Sequence, residues 1–183
     1  MPAFDRHILL MGLRASGKSS LARLLGARLG MDWLDLDART PSVAGRDTVR
    51  QVFELAGEAG FRAAELEALH QVLVEPPAVI ALGGGTPTAT GASGFLTGAT
   101  NAGAPLIYLR AQPDTLAARL AEAEEQAGNE HRPSLSGKPI TEEITEQFEA
   151  RDPLYRELAT QIVDVDGLEI NDAATRVIEA IAN

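Results

Sequence analysis

The chain has no cysteine, which excludes disulfides, thiol nucleophiles and cysteine-ligated zinc or iron–sulfur centres. That composition suits a reducing cytoplasm. Basic residues are also scarce, 16 Lys and Arg against 26 Asp and Glu. The resulting net charge of −10 and isoelectric point near 4.7 argue against a nucleic-acid partner, because polyanion binding needs a basic face. The same excess of acid means that any site for a small anion must bring its own arginines. No apolar run approaches membrane-spanning length and no stretch reads as a targeting segment, so a cytoplasmic protein without a membrane partner is expected. At 183 residues the chain is expected to form one domain, 1–183, with a substantial core.

Against these absences stands one octet. Residues 12–19 read Gly-Leu-Arg-Ala-Ser-Gly-Lys-Ser, the pattern G-x-x-x-x-G-K-[ST] without mismatch. It follows the apolar run His7-Ile8-Leu9-Leu10-Met11 and opens into the helical spacing Leu21, Leu24, Leu25, Ala27, Leu29, the strand–loop–helix context of a phosphate cradle. Gly12 and Gly17 permit backbone conformations that turn successive N–H groups onto one anion. The following helix adds the positive end of its dipole. Lys18 offers an ammonium to the outer phosphates of a nucleoside triphosphate, and the Ser19 hydroxyl is suited to Mg²⁺.

Strands are expected at Ile8–Met11, Trp33–Leu36, Ala78–Leu82, Leu106–Leu109 and Gln161–Val165. Helices are expected near 18–29, 48–56, 58–74, 112–127, 140–158 and 171–182. Several strand candidates are continuous apolar runs, as in a parallel sheet covered on both faces. The alternation predicts an α/β fold, a three-layer α/β/α sandwich around a five-stranded parallel sheet. Residues 128–139 are rich in turn formers and read as a mobile loop. The Gly-, Ala- and Thr-rich stretch 86–101 has no clear element.

Several charges sit where periodicity expects apolar side chains. Arg62 falls within the stripe of Leu66, Leu69, Val72 and Leu73, with Glu65 beside it. A guanidinium there needs a partner: either Glu65 forms a structural ion pair with it, or both face a polar cleft. Arg151 shares a face with Ile144, Phe148 and Tyr155, and Pro153 is expected to end or kink that helix. It either snorkels at a helix end or joins Arg62 in a cleft for an organic anion, for which the planar guanidinium is suited. Asp35 and Asp37 alternate at the end of the second strand candidate, which places both at the ligand-binding edge of an open α/β sheet. One could hold Mg²⁺ through water and the other accept from a substrate hydroxyl; the alternative is a solvated loop. Gly83-Gly84-Gly85 follows the third strand candidate and either lets a ligand touch backbone or forms a flexible turn.

Taken together, Asp35-Leu36-Asp37, Phe53-Glu54-x-x-Gly57-Glu58-x-x-Phe61-Arg62-x-x-Glu65, Gly83-Gly84-Gly85, Arg132-Pro133 and Arg151-Asp152-Pro153-Leu154-Tyr155 resemble the shikimate kinase family. That family lies in the nucleoside-monophosphate-kinase-like branch of P-loop proteins, and the similarity runs through nearly the whole chain. The resemblance implies a P-loop NTPase-type fold with substrate-binding helices over 38–74 and a mobile lid over 126–139. It implies γ-phosphate transfer from ATP, with Mg²⁺, to the 3-hydroxyl of shikimate, in the route to chorismate and aromatic amino acids, by a cytoplasmic monomer.

The roles implied are specific. Gly12, Arg14, Ala15, Ser16, Gly17, Lys18, Ser19 and Ser20 would bind ATP, with Arg119 packing on adenine and 164–167 on the adenine side. Arg132, from the lid, would join Lys18 on the transferring phosphoryl group. Ser19 and Asp35 would hold Mg²⁺. Asp37 would take the reacting hydroxyl, Arg62 and Arg151 the carboxylate, and Gly83, Gly84 and Gly85 the acceptor's body. Glu65 would orient Arg62, while Phe53 and Phe61 would wall the pocket. Lys18, Asp37 and Arg132 are thus the expected catalytic residues. Arg110 stands where the family usually has an acidic or small residue, and no role is read for it. Two other readings remain: a kinase of another small carboxylate such as gluconate, and a catalytically silent nucleotide-binding relative.

Overall fold

A computed structural model describes residues 5–127 and 139–182. Five strands, β1 (Ile8–Met11), β2 (Asp32–Asp35), β3 (Ala78–Ala81), β4 (Leu106–Arg110) and β5 (Gln161–Asp164), form one sheet in the order β2-β3-β1-β4-β5. Every pairing is parallel, with Leu9 opposite Ile80 on one side and Leu106 on the other. The central strands β1 and β3 are buried throughout, while the edges β2 and β5 are largely exposed or half-buried. Continuous apolar runs therefore occupy the middle of the sheet, and Asp32-Trp33 and Gln161-Ile162 lie at its margins.

The helices are α1 (Lys18–Leu29), α2 (Leu36–Val43), α3 (Val49–Leu73), α4 (Ala92–Asn101), α5 (Pro113–Ala127), α6 (Ile140–Leu158) and α7 (Ile170–Ala182), with a 3₁₀ turn at Thr86–Thr88. Right-handed crossovers send α1 to one face, because the chain there steps left from β1 to β2. They send α3, α4 and the α5–α6 pair to the other face. The packing agrees: α1 meets α7, and α4 meets α3 and α6. This is the expected α/β architecture around a five-stranded parallel sheet. Among the described residues no helix is long and apolar enough to cross a membrane.

Three local readings need correction. Residue 37 is not on the second strand: β2 ends at Asp35, which caps α2 by accepting a hydrogen bond from the Asp37 N–H at 2.9 Å. An aspartate two residues before a helical N–H is a capping signal, and here it wins over alternation. Helix α2 is absent from the helices expected from periodicity, although the resemblance implied substrate-binding helices over 38–74. It survives because Leu36, Thr40 and Pro41 are buried and the Thr40 hydroxyl donates to the Leu36 carbonyl at 2.8 Å. Helix α4 likewise rests on burial of Ala92 and Leu96 rather than on propensity. By contrast, α6 spans Ile140–Leu158 as expected and continues five residues beyond Pro153. The two helices expected over 48–74 form one span broken at Gly57, whose φ of 63° and ψ of −168° turn the chain. The loop expected to act as a lid lies almost wholly outside the described residues, as does Arg132.

Candidate active site

The phosphate loop leaves β1 and enters α1. Gly17 precedes α1 at a φ of 92° and supplies no side-chain cap, so the first N–H groups of the helix are not bonded to a capping side chain. Ala15 also has a positive φ, 63°, a strained state for an L-residue that the loop geometry imposes. The Ser16 hydroxyl is buried and, among the described residues, is the one buried side-chain oxygen or nitrogen without a hydrogen-bond partner. Such an orphan inside a glycine loop fits an anion acceptor.

Lys18 is only 9% exposed, with its ammonium donating to the Leu13 carbonyl at 2.8 Å. Burial pushes its pKa down to about 8; Asp37 and Asp35 oppose the fall and Arg151 adds to it. Those four residues therefore share one electrostatic neighbourhood. Beside Lys18, the Ser19 hydroxyl donates to the Asp35 carboxylate. One hydroxyl and one carboxylate in contact suit Mg²⁺, which keeps water and phosphate oxygens in its remaining positions.

A cavity of about 650 Å³ opens behind the loop, lined by Ala15, Gly17, Ser20, Arg119, Val165 and Leu168 among others. Arg119 Nη2 donates to the Val165 carbonyl at 3.0 Å. The Asp166 carboxylate accepts from the Gln112 N–H at 3.0 Å, which ties down the stretch after β5.

On the other side of the loop lies the glycine triplet that follows β3. A Cβ on Gly83 would stand 2.5 Å from Asp37 Oδ1 and from Glu65 Oε1, and one on Gly85 would stand 2.5 Å from Arg62 Nη1. A side chain at either position would displace these charged groups. A Cβ on Gly84 would lie 3.3 Å from the Arg14 backbone nitrogen, so triplet and phosphate loop are neighbours. Arg151 reaches the triplet from α6, donating from Nη1 to the Gly84 carbonyl at 3.0 Å. The Tyr155 hydroxyl donates to the same carbonyl, and burial pushes its pKa up to about 12.

Arg62 and Glu65 form the ion pair that was one of the two readings. Arg62 Nη1 meets Glu65 Oε2 at 2.7 Å, yet the pair stands against the glycine triplet. Glu65 is the more buried partner, 1% exposed against 29% for Arg62. Its other oxygen accepts from the Thr86 hydroxyl at 2.6 Å. Phe53 and Phe61 stack at 4.6 Å beside this pair, and the Arg62 guanidinium lies 5.5 Å from the Phe61 ring centre.

The structure thus gathers Asp37, Arg62, Glu65, Gly83, Gly84, Gly85 and Arg151 on one side of the phosphate loop, and Arg119 on the other. Sequence reasoning missed two residues that contact this cluster. Thr86 was passed over as part of a stretch without clear structure, although its place directly after the triplet was a usable signal. Tyr155 was read as an apolar-face residue and as part of the family-like motif, without the bond its hydroxyl donates to the Gly84 carbonyl.

A phosphate loop facing an arginine-flanked glycine triplet on a parallel α/β sheet defines a P-loop kinase of small molecules, a phosphotransferase. Residues 14–182 match the family model described as shikimate kinase. A shikimate kinase of Rhodopirellula baltica is 35% identical over 175 residues, covering 96% of this chain and 90% of that protein. Shikimate kinase 2 of Yersinia pestis is 37% identical over 157 residues, covering 86% and 85%. The structure of the Acinetobacter baumannii shikimate kinase in complex with shikimate superposes with a TM-score of 0.84 at 27% identity, covering 98% and 94%. The chain belongs to the shikimate kinase family.

Proposed function

We propose that this chain transfers the γ-phosphate of ATP to the 3-hydroxyl of shikimate, giving shikimate 3-phosphate and ADP. The observation that carries this reading is the convergence of Arg62 and Arg151 on consecutive glycines beside the phosphate loop. Two guanidiniums over bare backbone suit a carboxylate carried on a ring. Supporting it are the family and the shikimate-bound Acinetobacter relative.

In this reading the loop N–H groups and the Ser16 hydroxyl take phosphate oxygens, and Lys18 balances charge on the transferring group. The cavity beside Arg119 takes adenine. Asp37 accepts a hydrogen bond from the acceptor hydroxyl and draws off its proton as the oxygen attacks phosphorus. Arg62 and Arg151 hold the carboxylate, with Glu65 orienting Arg62 and the Phe53–Phe61 stack walling the ring. Ser19 and Asp35 would hold Mg²⁺, which when bound neutralises the phosphates. Arg132 would join Lys18 there. The protein would act as a single-domain monomer in the cytoplasm.

Substrate-dependent ADP release tests the reading. Turnover with ATP and shikimate, but not with gluconate, is expected. Turnover with gluconate alone would assign the arginines to another carboxylate. ATP binding without turnover on either would mark a silent relative.

A further inference from the structure

Arg110, at the end of β4, has no part in the reaction outlined above. Its Nε donates to Asp152 Oδ1 at 2.9 Å, and its Nη1 lies 3.4 Å from Asp164 Oδ1 on β5. Its guanidinium also sits 5.1 Å from the Phe148 ring centre. Arg110 is thus committed to two carboxylates and an aromatic face, which leaves it poorly placed to bind an anion itself.

Asp152, next to Arg151 in α6, is where these contacts meet. It accepts from the Tyr108 hydroxyl at 3.0 Å and, on its other oxygen, from Arg156 Nε at 2.7 Å. Burial opposes its ionisation, yet the hydrogen bonds from Arg156, Arg110 and Tyr108 hold its carboxyl below the usual range. Tyr108 also packs edge-on against Tyr155 at 5.3 Å. Strand β4 therefore grips α6 at the turn that sends Arg151 and Tyr155 to the Gly84 carbonyl. That turn contains Pro153, which has no N–H to donate and weakens the helix locally. The contacts of Tyr108 and Arg110 with Asp152 add a seat from outside the helix. A guanidinium on a long side chain loses its aim when its helix shifts by a fraction of an ångström.

We propose that Arg110 is a positioning residue for the acceptor: through Asp152 and Phe148 it seats α6 so that Arg151 meets the substrate carboxylate. The inference rests on the shikimate reading. Steady-state kinetics on the full chain test it, with ADP release followed against shikimate and ATP separately, alongside thermal melts. The proteins compared are the unmodified chain, Arg110→Met, Arg110→Lys, Arg151→Ala and the double variant Arg110→Met/Arg151→Ala. Arg110→Met should raise KM for shikimate about tenfold and leave KM for ATP within about twofold, with partial recovery in Arg110→Lys.

In the Arg151→Ala background, Arg110→Met should change KM for shikimate by less than about twofold, since its effect is routed through Arg151. A lowered melting temperature with unchanged KM for shikimate would overturn the proposal. So would an Arg110→Met penalty undiminished in the Arg151→Ala background. Should Arg110→Met fail to fold, the isosteric Asp152→Asn, which weakens the same link, is read against the same two outcomes. An unmodified chain that ignores shikimate removes the acceptor reading and this inference together. An active chain with an indifferent Arg110→Met removes the inference alone.

Discussion

In the proposed reading, the two sides of the site would hold anions by opposite means. On the nucleotide side, eight consecutive residues, the start of α1 and one buried lysine make the cradle, mostly from backbone. On the acceptor side the backbone is stripped bare at Gly83–Gly85, and the charge arrives on long side chains from α3 and α6. A backbone cradle is rigid once the turn forms and suits the invariant phosphate. Side-chain clamps depend on the packing of several elements but can be shaped to one acceptor. The difference also shows in what each cation costs. Lys18 is buried against a carbonyl and depressed in pKa, whereas Arg62 is balanced by Glu65.

Replacing Lys18 breaks the nucleotide side most severely. Lys18→Met should lower kcat by about 10²–10³-fold, the usual loss for one transition-state charge partner. It should melt no lower than the unmodified chain, because a buried ammonium is exchanged for an apolar side chain of similar length. A drop in melting temperature with turnover intact would make Lys18 structural instead.

The arginines come next. Arg151→Ala and Arg62→Ala should each weaken shikimate binding by about 2–5 kcal/mol in calorimetry while ATP affinity holds. They should differ in stability. Arg62→Ala leaves Glu65 buried with Thr86 as its remaining described hydrogen-bond partner and should melt several degrees lower, about the shift expected for 1–2 kcal/mol. Arg151 reaches a backbone carbonyl rather than a buried carboxylate, so its loss should spare the melting temperature. Equal melting temperatures would erase that contrast.

A smaller effect follows from pH. The Lys18 pKa falls from 10.5 to about 8 on folding, so between those values the unfolded chain binds more protons. Stability should therefore rise with pH across that window, while below it the full penalty of burying the charge is present. ATP binding should weaken over the same range and take up a proton at about pH 9. Calorimetry in buffers of different ionisation heat checks this, and Lys18→Met should show no uptake. The smallest change is Thr86→Val, which removes the donor to Glu65 and should raise KM for shikimate by about 1 kcal/mol, a few-fold, with kcat nearly unchanged.

What the residues alone determined was mostly local. The octet at 12–19 specifies its own turn and helix start, and the runs of β1, β3 and β4 announce buried parallel strands because both their faces are apolar. Arg62 and Arg151 stood out because a guanidinium within an apolar stripe is costly unless something meets it. Tertiary structure decided what meets them. Only the packed chain shows that Asp35 ends β2 and caps α2, since capping and strand alternation assign the same residues differently. Only packing shows that Glu65 serves Arg62 and Thr86 at once, and that Arg110 is tied to Asp152 some forty residues away. Those partners are distant in sequence, and their pairing is set by which helix the sheet brings against which strand, a property no single segment carries.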